Sequence, residues 1–224
     1  MSSARAAAIV LGKEIRAEMR TRELLQTTVV FTLIVVTLFN FAFEPTPDEA
    51  RRFGAGLIWI TLLFAGSLML NPSFVRERAN DTIYALRMSP ASAFAIVFGK
   101  SAANFIFLGI TEVILLPAFS LLYNVPVQPV LGRLAFILFL GTFGLVMVGT
   151  VFSAVAAQAR MRELLLPLLL LPVLIPLMFA AVEATAGLLA ESPALDLTWV
   201  SVLAAFDVIF FTASWLLCDY LLEE

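Results

Sequence analysis

Apolar residues run almost unbroken along this chain, and six stretches are long enough to read as membrane-crossing helices. They are roughly Leu24 to Phe43, Gly54 to Leu70, Ser101 to Leu122, Leu134 to Ala156, Leu164 to Val182 and Trp199 to Tyr220. About 20 mostly apolar residues suffice to cross a hydrocarbon core of about 30 Å. The pattern therefore predicts an all-α, polytopic membrane protein with one transmembrane domain over residues 1–224. The first span follows basic residues, as a secretory signal would. Yet it is too long and ends in Phe-Asn-Phe-Ala-Phe-Glu-Pro rather than in small residues, so it is expected to be retained.

Two segments have a different periodicity. Before the first span, Ala8, Gly12, Ile15 and Met19 recur at helical spacing, while Lys13, Arg16 and Arg20 occupy other faces. An interfacial helix within residues 1–23 is expected, lying along the membrane surface. The alternative is a basic tail that only sets orientation. Between the second and third spans lies a polar island, Phe74 to Pro90, in which Val75, Ala79, Ile83 and Leu86 form an apolar stripe beside Arg76, Glu77, Arg78, Asp81 and Arg87. This predicts a short amphipathic helix within residues 73–90. Asn80 or Asp81 caps it, and Pro90 stops it because the residue before proline is pushed from the helical region. A solvated loop with a membrane-facing stripe is the other reading.

Composition narrows the function. With 61% apolar residues, 14% charged residues and a mean hydropathy of +0.99, little chain remains for a separate soluble module. The net charge of -3 argues against nucleic acid as a partner, and membrane lipids are the expected surroundings. Positive charge is unevenly placed: Arg5, Lys13, Arg16, Arg20, Arg22, Arg76, Arg78, Arg87, Lys100, Arg160 and Arg162 fall on one side of the predicted topology. Only Arg51, Arg52 and the boundary residue Arg133 fall on the other. The positive-inside rule then puts both termini in the cytoplasm.

No histidine is present, and Cys218 is the only cysteine. Intrachain disulfides and the usual zinc or haem ligand sets are excluded. Cys218 reads as a packed, inert thiol, and Met69, Tyr84 and Met88 as packing residues rather than haem ligands. No phosphate loop, nucleophile with base, or metalloprotease motif occurs, so the chain is expected not to be an enzyme.

Among the polar residues set within the apolar runs are Asn104 and Glu112 in the third span and Asp207 in the sixth. Carboxylates at bilayer depth cost about 2.5–3.5 kcal/mol on insertion scales, so they face protein or water. Two readings stand for them, a pathway or partner contact and a hydrogen-bonded pin between helices. Asn104 lies two turns before Glu112 and shares its face. In the fourth span, Gly141, Gly144, Gly149, Ser153 and Ala157 offer small surfaces for close helix approach. Pro167, Pro172 and Pro176 in the fifth each remove a backbone donor, giving either a bent structural helix or a hinge.

Six spans, inside termini, an interfacial helix before the first span and an amphipathic helix between the second and third together resemble an ABC-2 type permease. Within that group the chain resembles the CcmB family, the permease subunit of bacterial cytochrome c maturation. The carriers are Val35-Val36-Thr37-Leu38-Phe39, Gly56-Leu57-Ile58-Trp59, Phe74 to Pro90, and Leu171-Pro172-Val173-Leu174-Ile175-Pro176-Leu177. Similar proteins read Asp-Gly-Ser/Thr-Leu-Glu-x-Leu in the island, matched here by Asn80-Asp81-Thr82-Ile83-Tyr84-Ala85-Leu86. The glycine is replaced by Asp81 and the glutamate by Tyr84.

The resemblance implies a multi-pass protein of the bacterial inner membrane that lacks its own nucleotide site. It implies coupling to a CcmA-like ATPase through Asn80, Asp81, Thr82, Ile83, Leu86 and Arg87. CcmC-like and CcmD-like membrane subunits and a CcmE-like haem chaperone are the further implied partners. ATP would act through the partner subunit and haem would be handled by the complex, with no cofactor bound directly by this chain. An exporter of a lipid, drug or polysaccharide shares the architecture, and a membrane scaffold without nucleotide dependence is the alternative from another class.

Overall fold

The computed structural model describes residues 3–70, 92–156 and 162–223. These form seven α-helices: α1 Ser3–Thr21, α2 Glu23–Phe43, α3 Pro47–Leu70, α4 Ala93–Tyr123, α5 Leu131–Ala156, α6 Arg162–Leu189 and α7 Leu197–Glu223. A 3-10 turn, Gln128–Val130, leads into α5. Helices α2 to α7 each carry a segment long and apolar enough to span a membrane, so the protein is polytopic. The polar island and Ala157 lie outside the described residues.

Several helices begin earlier than their apolar runs, for local reasons. In α3, Thr46 donates to Glu49 Oε2 from both N–H and hydroxyl at 2.8 Å, and Glu49 N–H returns a bond to Thr46 Oγ1 at 3.4 Å. With Pro47 at the first helical position, this capping box starts the helix seven residues before Gly54. In α4, Ser92 Oγ accepts from Ala95 N–H at 3.3 Å and starts the helix eight residues before Ser101. At the other end of a run, α6 continues past Val182 to Leu189 because Glu183 faces outward.

The core forms around α3 and α5, the two most buried spans. Helix α5 packs against α3, α4, α6 and α7. Its small residues are what let the neighbours close in. Trp59 of α3, fully buried, lies with its ring against Gly141, and its Nε1–H donates to Thr185 Oγ1 of α6 at 2.9 Å. Leu70 of α3 lies against Gly149, and Ser153 Oγ donates to the Leu70 carbonyl at 2.6 Å. The small-residue face expected of the fourth span is thus an internal packing face.

Two clusters mark the ends of the bundle. At one end Val10 of α1 meets Ile96 and Val97 of α4, Ala154 of α5 and Cys218 of α7. Cys218 is a packed thiol whose Sγ–H donates to the Ser214 carbonyl at 2.6 Å. At the opposite end Tyr123 of α4 donates its hydroxyl to the Val36 carbonyl of α2 at 2.9 Å, beside Phe53 and Phe119. The helix α1 and the end of α7 therefore share one end of the bundle, as an even number of spans requires.

The α1 helix packs along α4. Of its predicted stripe, Ala8 and Met19 are exposed, Gly12 is half-buried, and Ile15 packs partly buried against the core. Ala6, Val10 and Glu18 are the buried face instead.

Candidate functional site

At the α1 end, the backbones of α1 and α4 approach closely at Gly99. A β-carbon there would come within 2.8 Å of the Ala7 carbonyl oxygen and of Val10. One residue on, Lys100 is 1% exposed and donates from Nζ to Glu14 Oε1 at 2.8 Å, while Lys13 reaches the same oxygen at 3.2 Å. Burial disfavours ionised Glu14, but the charge and hydrogen bond of Lys100, aided by Lys13, outweigh it and hold the carboxyl below its ordinary value. A turn further along α1, buried Glu18 accepts from Leu25 N–H through Oε1 at 2.9 Å, satisfying an N-terminal donor of α2. Arg22, with φ 56°, makes the turn between the two helices. These contacts tie α1 to α2 and to the beginning of α4.

The α4–α5 seam carries the polar residues of the third span. Asn104 Nδ2 donates to Thr150 Oγ1 at 3.4 Å, and Thr142 donates its hydroxyl to Glu112 Oε1. Eight residues along α4 are matched by eight back along antiparallel α5, so Asn104 and Glu112 do share one face. Asp207 does not join them. It sits on α7, 6% exposed, with Oδ1 2.5 Å from where a β-carbon on Gly144 would lie. Gly144 and Thr142 lie about 200° apart around α5, so the two carboxyls occupy different flanks of that helix. Among the described residues, neither Asp207 oxygen has a hydrogen-bond partner.

The prolines divide as well. Pro172 and Pro176 are exposed on α6, on the side away from fully buried Leu170, Leu174 and Leu177. Pro167 falls in the same helix, and its side chain lies outside the described residues. Chemistry leaves the carbonyls four residues before each proline without their intrahelical donor, which for Pro172 and Pro176 means those of Leu168 and Pro172. A further proline, Pro117, lies inside α4 and borders a cavity of about 670 Å³ together with Ser120, Asn124 and Gln128. Met69 is buried in the core. No cluster of metal-binding side chains occurs among the described residues. The coupling residues Asn80, Asp81, Thr82, Ile83, Leu86 and Arg87, with Tyr84 and Met88, lie outside them.

Sequence reasoning weighed Lys100 only as a charge at the membrane edge and gave Glu14, Glu18, Thr142, Thr150 and Thr185 no role. Their partners are brought together by packing across helices. A lysine at the head of an apolar run was the one available signal.

The family model described as CcmB protein matches residues 5–216, from α1 to near the end of α7. The chain belongs to the CcmB family. Among similar proteins, heme exporter protein B of Pseudomonas aeruginosa is 30% identical over 198 residues, covering 88% of this chain and 88% of that protein. The protein of the same name from Rhodobacter capsulatus is 30% identical over 174 residues, 78% of this chain and 79% of the relative. That from Escherichia coli K12 is 29% identical over 102 residues, 46% of each. The CcmB match takes in the polar island together with α3 and α4 on either side of it.

Proposed function

We propose that this chain is the membrane permease subunit of an ABC-type complex for cytochrome c maturation. In this reading, ATP hydrolysis on a separate CcmA-like subunit is coupled through it to haem delivery or to release of a haem-loaded, CcmE-like chaperone. The observation that carries the proposal is the match to the CcmB family over residues 5–216, joined to the name heme exporter protein B of its relatives. CcmC-like and CcmD-like subunits complete the assembly. The excess of basic residues toward the α1 end supports cytoplasmic termini for a protein of the bacterial inner membrane.

The island is the proposed coupling element, with Asn80, Asp81, Thr82, Ile83, Leu86 and Arg87 meeting the ATPase. Its flanks suit this role. On one side Leu70 is seated on Gly149 and bonded by Ser153; on the other, Lys100 is bonded to Glu14. Displacing the island therefore moves α3 against α5 and α4 with α1 rather than bending loose ends. Nucleotide-driven closure of the ATPase would bias the bundle between two arrangements, with Pro167, Pro172 and Pro176 as the compliant part of α6. Asn104, Glu112 and Asp207 are the proposed intramembrane polar groups of that cycle.

The test is to replace Ile83 and Leu86 together with aspartate and purify the protein from its native membrane. The expected result is normal insertion with loss of the co-purifying ATPase and of covalent cytochrome c. Recovery of the ATPase at wild-type yield would remove the coupling role. An ATPase partner with undiminished cytochrome c after deletion of the chain would favour export of a different cargo.

A further inference from the structure

Arg51 and Arg52 lie in the first turns of α3, at the end of the bundle opposite α1. Of the described basic residues, only these two and Arg133 lie at that end. No salt bridge engages Arg51 among the described residues, and its Nε is buried without a hydrogen-bond partner. A buried guanidinium nitrogen lacking an acceptor is costly, so a residue held this way favours an incoming acceptor.

Both arginines open onto one cavity of about 540 Å³ between the start of α3 and the end of α6. That volume lies within the range of about 300–1,000 Å³ typical of small-molecule sites. Ser192 adds a hydroxyl, while Ala186 and Ala190 form an apolar wall. Asp48 and Glu191 line the same cavity. Their charges offset the field of the arginines, so diffuse attraction of anions is weak and capture needs direct contact with the guanidinium groups. Those planar forks match carboxylate and phosphate oxygens. The positive end of the α3 dipole adds to the attraction.

We propose that Arg51 and Arg52 bind the oxyanion headgroup, phosphate or carboxylate, of an amphiphile at this face of the membrane. The alanine wall accepts the hydrocarbon next to that headgroup. This site is independent of the proposed nucleotide coupling, since it stands at the opposite end of α3 from the island.

The test uses the full-length protein, with whatever subunits co-purify, in phosphatidylcholine nanodiscs. One set is doped with phosphatidylglycerol and a second with oleate, and retained molecules are counted by native mass spectrometry. The wild type is expected to retain one of these probes over phosphatidylcholine, and the probe retained identifies a phosphate or a carboxylate source. Arg51→Gln with Arg52→Gln is expected to lower that retention by about fivefold or more, given direct charge-assisted contacts. Arg133→Gln, the other cation of that end, is expected to leave it unchanged. Equal retention by wild type and double variant overturns the proposal, as does an equal loss in Arg133→Gln. If the double variant fails to fold, each single variant replaces it, and unchanged retention in both overturns the proposal equally.

Discussion

Lys100 of α4 donates a hydrogen bond from Nζ to Glu14 of α1 at 2.8 Å from a position 1% exposed, so a lysine inside the bundle is matched by a carboxylate at its edge. Removing the carboxylate takes from the buried ammonium the counter-charge at 2.8 Å that Glu14 supplies. Glu14→Ala is expected to destabilise the protein by about 2–4 kcal/mol, at or below the usual cost of breaking a buried pair because Glu14 is itself partly exposed. Replacing both, Glu14→Leu with Lys100→Met, should recover part of the loss, since neither apolar chain leaves a buried charge behind. Thermal unfolding in detergent reads both. A double variant no more stable than Glu14→Ala would show that the pair does more than neutralise itself.

The same pair sets an acid limit. Glu14 titrates below its ordinary value of 4.5 in the folded protein because the lysine charges and hydrogen bonds overcome burial. A depressed carboxyl stabilises fully above the unfolded pKa, and that stability is lost as pH falls through the folded one. The contribution of this pair to the unfolding temperature should therefore be full and constant between pH 6 and 8 and fall away below about pH 4.5. In Glu14→Gln that component of the acid-induced drop should be absent, and an unchanged acid profile would dissociate Glu14 from the effect.

Close approach in the core makes a second contrast. A β-carbon on Gly141 would run into the Trp59 ring, which the bond to Thr185 holds in place. Gly141→Ala is expected to cost about 1–3 kcal/mol by overpacking. Gly109 on α4 has open space where its β-carbon would go. Gly109→Ala should instead stabilise by about 0.5–1 kcal/mol through lost backbone freedom in the unfolded chain. Equal effects of the two substitutions on unfolding temperature would contradict this packing.

Span number and order were legible because each crossing needs one long apolar run, and α2, α3, α4, α5, α6 and α7 follow the six runs read from sequence. Helix starts were less so. Arg51, Arg52 and Lys100 interrupt apolarity without interrupting the helix, since capping at Thr46 and Ser92 acts on the backbone and is blind to hydropathy. The shared face of Asn104 and Glu112 was readable from their spacing of two turns, a property of one helix. That Asp207 stands apart from them, against Gly144, depends on which flank of α5 each neighbour takes. Periodicity within a single span carries no such information. For the same reason Glu14 gave no sign of reaching Lys100, 86 positions away.

The two intramembrane carboxyls should respond in opposite ways. Glu112 has a partner, Thr142, and Asp207 has none for either oxygen among the described residues. Glu112→Leu and Thr142→Val are each expected to destabilise by about 1 kcal/mol, the scale of hydrogen bonds between membrane helices, and together to cost little more than either alone. Asp207→Leu has no hydrogen bond to lose and relieves a buried polar group, so its unfolding temperature should equal or exceed that of the wild type. If Asp207 is kept for the working cycle, that stable variant should still lose covalent cytochrome c. Destabilisation of Asp207→Leu to the level of Glu112→Leu would mean that its carboxyl is bonded in the folded protein. A stable variant with full cytochrome c yield would reduce Asp207 to a packing residue whose polarity the bundle tolerates.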